Sequence, residues 1–148
     1  MFISTFENKL DKKGRVSVPA PYRININNEG DSSIVCYPSF TLPAIEFCPK
    51  KRLDKIIEAI DTLNPFEEKR DYFATSVLSD SSNLIFDTEG RVQFPKKLLN
   101  FAKIKSDILF VGLGKTFQVW SPKNFEKFKS FAKKKALQSR STLKWDNN

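Results

Sequence analysis

Residues 11–19 read DKKGRVSVP and residues 87–95 read DTEGRVQFP. Asp11, Gly14, Arg15, Val16 and Pro19 recur as Asp87, Gly90, Arg91, Val92 and Pro95 at a constant offset of 76, and Leu10/Phe86 and Val18/Phe94 match in apolar character. Five identities in nine aligned positions mark an internal repeat, and a repeat restricts the fold to architectures built from two copies of one supersecondary unit. The likeness continues downstream. Ile34-Val35-Cys36-Tyr37 resembles Ile108-Leu109-Phe110-Val111, and Phe47-Cys48-Pro49-Lys50 resembles Trp120-Ser121-Pro122-Lys123, at an offset shortened to 73 or 74. A shorter loop in the second copy, with NFAKIKSD in place of the polar ININNEGDSS, accounts for the shortening.

Each copy reads as strand, turn, strand, short helix, strand, strand, helix. Phe2 to Lys9 has extended character, and Asp-x-x-Gly is turn chemistry: the Asp carboxylate accepts from backbone N–H groups further on, and Gly takes a positive φ. Arg-Val-Ser-Val and Arg-Val-Gln-Phe alternate polar and apolar, as half-buried strands do, so Ser17 and Gln93 face away from the core. Pro19 and Pro95 suit the first turn of a helix. SIVCYP and AIEFCP, then DILFVG and TFQVWS, supply two further strands per copy. Ser121-Pro122 and Cys48-Pro49 open helices with apolar stripes at Phe125, Phe128, Phe131 and Ala132, and at Leu53, Ile56, Ile57 and Ile60. Between the copies, the run from Asn64-Pro65 to about Val77 predicts one more helix, with Phe66, Arg70, Phe73 and Val77 on related faces. The expected layout is a first unit at 5–53, a helical connector at 54–80, a second unit at 81–126, and a basic C-terminal helix and tail at 127–148.

Composition narrows the chemistry. The chain has no histidine, which removes Ser-His-Asp and Cys-His nucleophilic pairs, histidine general bases and the commonest metal ligand. Cys36 and Cys48 are too few and too far apart for a CxxC metal site or a disulfide framework, and are expected as buried thiols. No cofactor, no metal and no small-molecule substrate are expected, and no catalytic residue is assigned. The sequence carries no apolar run of about 18 residues, and MFISTFENKLDKKG lacks the basic start and apolar stretch of a signal peptide, so a cytoplasmic protein without membrane attachment is expected.

The net charge of +8 favours an anionic partner. Residues 1–74 hold 11 basic and 11 acidic residues, whereas residues 75–148 hold 14 against 6. The stretch from Ser121 to Asn148 alone carries 8 against 2. Such a tail is either a solvated helix or a source of nonspecific phosphate contact.

The double D-x-x-G-R motif, each time followed by an alternating strand and Pro, resembles the SpoVT/AbrB-like swapped-hairpin module, and two such modules in one chain resemble the MraZ family of transcriptional regulators. The supporting segments are MFISTFENKLDKKGRVSVP and FVGLGKTFQVWSPKNF, so the resemblance covers residues 1 to about 130. It implies an α+β fold: a swapped-hairpin, double-psi-like β-barrel of the AbrB type, made from the two internal repeats, with flanking helices. It further implies a ring homo-oligomer that binds double-stranded DNA at short direct repeats, in the promoter of its own division and cell-wall gene cluster, and that is associated with the nucleoid.

Residue chemistry agrees in outline. An arginine just after a tight glycine turn is displayed at the end of a rigid hairpin, within reach of phosphates or the acceptor edge of guanine. Arg15 and Arg91 are the leading candidate DNA contacts, with Lys12, Lys13 and Arg23 adding phosphate attraction in the first copy. The second copy has Thr88 and Glu89 for the two lysines and Leu99 for Arg23. Asp11, Gly14, Asp87 and Gly90 are assigned to turn architecture. A competing role for Arg15 and Arg91 is an internal pair with Asp11 or Asp87 that holds the turn without touching nucleic acid. Two other functions compete with the regulator: a ring-forming scaffold whose turns only build the barrel, and an enzyme using carboxylates. The missing histidine and phosphate-cradling loop oppose the enzyme. No aromatic-rich strand of the RNA-binding kind occurs.

Overall fold

A computed structural model describes residues 1–30 and 32–145. The last three residues of the basic tail, and with them Asp146, lie outside that range. Eight strands, five α-helices and a 3-10 turn follow in the described residues. In the first half they are β1 (Thr5–Lys9), β2 (Arg15–Ser17), α1 (Ala20–Asn28), β3 (Ser33–Pro38), β4 (Ile45–Cys48) and α2 (Lys50–Asp61). Helix α3 (Glu68–Leu78) comes between the halves. The second half holds β5 (Ser82–Ile85), β6 (Arg91–Gln93), α4 (Lys96–Phe101), β7 (Asp107–Gly112), β8 (Phe117–Trp120) and α5 (Pro122–Ser139).

The fold is mixed α+β around an antiparallel six-stranded sheet of order β1-β7-β8-β4-β3-β5, beside a separate two-stranded ribbon, β2-β6. Neither Asp-x-x-Gly turn closes a ladder between its own flanking strands. Strand β1 pairs with β7, and β5 pairs with β3, so each edge strand of the sheet lies against a strand from the other half. The central seam is β4 against β8, where Phe47 faces Phe117 and their rings stack with centroids 4.8 Å apart. Strands β1 and β5 are open edges, and the ribbon strands are three residues long, ending immediately before Val18-Pro19 and Phe94-Pro95. The strand pairings among the described residues thus give an open six-stranded ladder and a separate ribbon. Proline supplies the stop, because it has no N–H for a ladder.

The inner face of the sheet carries Ile34, Phe47, Ile108, Phe110 and Phe117. The ribbon covers it with Val16, Val18, Val92 and Phe94, and the two short helices add Tyr22, Ile26 and Leu98. Burying each of these side chains contributes roughly 1.5–3 kcal/mol. This burial anchors the ribbon to the core although it is short. Tyr22 is fully buried and donates from its hydroxyl to the Ser4 carbonyl at 2.7 Å, and burial pushes its phenol up to about 12. On the outer face, α5 lays Phe125 and Phe128 against Trp120, with Phe128 stacked on the indole at 5.1 Å. The α5 start has the expected cap, Ser121 Oγ accepting from Asn124 N at 3.2 Å.

Several local expectations change. The ININN segment is not loop: it forms the second half of α1, with Tyr22 and Ile26 buried one turn apart, and α4 is three residues shorter. The reduced offset downstream reflects helix length more than loop length. Pro19, Pro49 and Pro95 stand at the N-cap, one position before the helix, where φ near −60° and an extended ψ suit them. The residues expected on related faces of the connecting helix differ in burial, Val77 being half-buried. Phe66 precedes α3 and is 94% exposed, Phe73 is half-exposed with its ring stacked on the exposed Phe40, and Arg70 pairs with Asp61 at 2.7 Å. Cys36 and Cys48 are buried free thiols, raised to about 12 and about 11 by burial. Among the described residues no helix is long and apolar enough to cross a membrane.

Candidate nucleic-acid interface

The ribbon brings the two motifs together. Arg15 faces Gln93, Val16 faces Val92, and Ser17 faces Arg91. Strand alternation then puts both valines into the core and Arg15, Ser17, Arg91 and Gln93 on the opposite, solvent side. The two turns sit at the two ends of this ribbon and are stitched across it, Phe94 N donating to Gly14 O at 3.0 Å and Val18 N to Gly90 O at 3.2 Å.

Inside each turn the aspartate does the same work. Asp11 Oδ1 accepts from Lys13 N and Arg15 N, both at 2.9 Å, and Oδ2 accepts from Arg15 Nε at 2.7 Å. Asp87 Oδ1 accepts from Glu89 N and Arg91 N at 2.9 Å, and Oδ2 accepts from Arg91 Nε at 2.9 Å. Gly14 and Gly90 take φ of 79° and 76°, the left-handed geometry that lets their N–H groups close the turn on the Asp carbonyls at 3.1 Å. The arginine backbone N–H groups, first, and the guanidinium bonds hold both carboxyls below their ordinary value. Asp11, Gly14, Asp87 and Gly90 thus all take part in the hydrogen bonds that close the two turns.

The internal pairing considered for Arg15 and Arg91 is present at both. It uses only Nε, which fixes the plane of the guanidinium and leaves the Nη edge to decide. At Arg15 that edge has no hydrogen-bond partner among the described residues. At Arg91, Nη2 lies 3.5 Å from Glu89 Oε2. Lys12 and Lys13 are exposed at the tip of the first turn and make no ion pair among the described residues. The expectation placed Arg23 with the first copy's cations; the structure places it elsewhere. From α1 it reaches the second turn, donating from Nη1 to the Glu89 carbonyl at 3.3 Å.

One contributor escaped the sequence reading. Gln93 Nε2 donates to the Lys13 carbonyl at 3.1 Å and braces the first turn from the second half. Its outward position was legible from strand alternation; its partner was not, because nothing local indicates that β2 pairs with β6.

The class these features define is an α+β protein that displays two matched Asp-Gly-Arg turns on one short, core-anchored ribbon. The family model described as "MraZ protein, putative antitoxin-like" matches residues 1–69 and 77–144. The chain is 57% identical over 148 residues to the transcriptional regulator MraZ of Pelagibacter ubique (strain HTCC1062), covering 100% of this chain and 96% of that protein. It is 41% identical over 144 residues to the proteins of that name from Rickettsia canadensis (strain McKiel) and Rickettsia felis (strain ATCC VR-1525 / URRWXCal2), covering 97% of each chain. The chain belongs to the MraZ family.

Proposed function

We propose that this protein is a transcriptional regulator that binds duplex DNA through its ribbon, with Arg15, Lys12 and Lys13 of the first turn leading and Arg91 and Arg23 contributing at the second. The observation that carries this reading is the placement of both arginines on the outer face of one core-anchored ribbon, each held in plane by its aspartate. An arginine fixed through Nε keeps a two-donor Nη edge, which suits guanine O6/N7 or a phosphate, and loses little entropy on binding.

In this reading the halves 5–53 and 81–126 are two interleaved modules joined by 54–80, and the ribbon and sheet together form the swapped-hairpin barrel. The exchange of edge strands between halves supports it. The protein assembles as a ring, and the ring reads short direct repeats upstream of its own division and cell-wall genes, at the nucleoid of the cytoplasm. Few phosphates meet one ribbon, so a single site is weak and salt-sensitive, and several ribbons on repeated boxes bind tightly through effective concentration. No catalytic role is proposed.

Footprinting on upstream DNA carrying one box and three boxes tests this directly. Much tighter binding to three boxes is expected, and equal affinities contradict the ring-and-repeat reading. One observation favours a scaffold without specific DNA binding: both arginines already have internal partners. A gel shift in the presence of competitor DNA separates the two, since retention that survives competition supports the regulator and its loss supports the scaffold.

A further inference from the structure

The carbonyls of Lys13 and Glu89 hold equivalent places in the two turns, and each accepts from a side chain that belongs to the other half. At Lys13 the donor is the neutral amide of Gln93, and at Glu89 it is the guanidinium of Arg23. The acceptors correspond and the donors do not. Gln93 aligns with Ser17, which is too short to reach, and Arg23 aligns with Leu99, which is buried and has no donor. The chemical difference is one charge. The neutral brace serves the turn that already carries Lys12 and Lys13, and the cationic brace serves the turn where Thr88 and Glu89 supply no positive charge.

Arg23 is also closely fitted to that turn. A Cβ on Gly90 would meet Arg23 Nη1 at 1.6 Å and Cζ at 2.7 Å, whereas a Cβ on Gly14 would meet only Phe94 O, at 3.7 Å. A cleft of about 580 Å³ opens between α1 and the second turn, with Ala20, Ile24, Asn27 and Thr88 in its walls. Asp87 also faces this cleft, with both carboxylate oxygens engaged by its own turn.

Resting on the DNA-binding reading above, we infer that Arg23 is the positioning residue and the supplied cation of the second turn, which meets a DNA phosphate as a composite site drawn from both halves of the chain. Arg23 pins the Glu89 carbonyl and so fixes the loop that carries Arg91, and its guanidinium puts a positive charge one residue from Arg91 along the chain. Arginine suits the double task because one N–H of its planar fork engages the carbonyl while others remain directed elsewhere.

The test is a salt titration of binding to duplex DNA from the gene's own upstream region, using the full chain, Arg23→Ala, Arg23→Lys, Arg91→Ala and the Arg23→Ala/Arg91→Ala pair, each checked for assembly. Arg23→Ala should weaken binding about threefold, no more than Arg91→Ala does, and lower the slope of log K against log salt by about one. Arg23→Lys should restore the slope but not the full affinity. The paired variant should bind no worse than the weaker single one, because both residues act through one turn. Additive losses, or an unchanged Arg23→Ala affinity, overturn the inference. A second readout needs no DNA: the fall in Tm caused by Gly90→Ala should shrink when Arg23 is alanine, while that of Gly14→Ala should not. Equal falls in both backgrounds overturn the positioning contact. Absence of DNA binding by the unaltered chain defeats the regulator reading and the phosphate role with it, and the Tm comparison still decides the positioning role.

Discussion

The first and second turns share a backbone hydrogen-bond pattern down to the tenth of an ångström in several contacts, yet they present different chemistry to solvent. The first carries Lys12 and Lys13 at its tip, a neutral amide brace, and an Arg15 whose Nη edge is open among the described residues. The second carries Thr88 and Glu89, a cationic brace from α1, and an Arg91 whose Nη2 is drawn toward Glu89. The shared part is what the Asp-Gly pair dictates by local geometry. The divergent part lies in the two positions between them and in whatever the other half of the chain delivers. A repeat therefore fixes shape more tightly than it fixes function.

The largest difference between the turns should appear when their glycines are replaced. Gly14→Ala strains a left-handed residue by about 1–2 kcal/mol. Gly90→Ala carries the same strain and also displaces the end of the Arg23 side chain from its bond to the Glu89 carbonyl, so its loss of stability should be greater by about 1 kcal/mol. Urea melts of the two variants check this, and equal losses would mean that Arg23 yields freely.

A smaller effect should come from charge at the second tip. Glu89→Lys removes the partner of Arg91 Nη2 and makes the second turn resemble the first, and should tighten DNA binding several-fold at low salt, with the gain fading as salt rises. A fluorescence-anisotropy titration at two salt concentrations reads it out, and weaker binding would show that Glu89 orients Arg91 productively.

The smallest effect concerns pH. Both turn carboxyls are held below the ordinary 3.8. A depressed acid stabilises the fold above its unfolded pKa, and that contribution disappears as pH falls through the folded value. Asp11→Asn and Asp87→Asn should each lower Tm at pH 7, and the deficit should narrow below about pH 3.8. A constant deficit across that range would mean that the carboxylate charge is not what holds the turn.

Local chemistry made much of this legible in the sequence. Asp-x-x-Gly announced both turns, the alternation of Arg-Val-Ser-Val set which side chains leave the core, and Ser121-Pro122 marked the start of α5. What stayed hidden depends on strand partners far apart in sequence. Three-residue strands carry too little pattern to reveal that β2 pairs with β6 instead of β1, so the brace from Gln93 and the reach of Arg23 to Glu89 were invisible. Sequence proximity groups Arg23 with the first turn, and the crossing of the halves sends it to the second. The connecting helix was legible from spacing, but spacing does not show how deeply each residue sits. Its apolar residues have helical spacing, but the described residues offer Phe66 no surface to cover.

The central claim is that the turns are unequal partners at DNA, and the affinities of Arg15→Ala and Arg91→Ala for upstream DNA, measured on assembled protein at the same salt, test it most directly. The account predicts a loss of about tenfold or more for Arg15→Ala and a distinctly smaller loss for Arg91→Ala. Equal losses, or a larger one for Arg91→Ala, would contradict it.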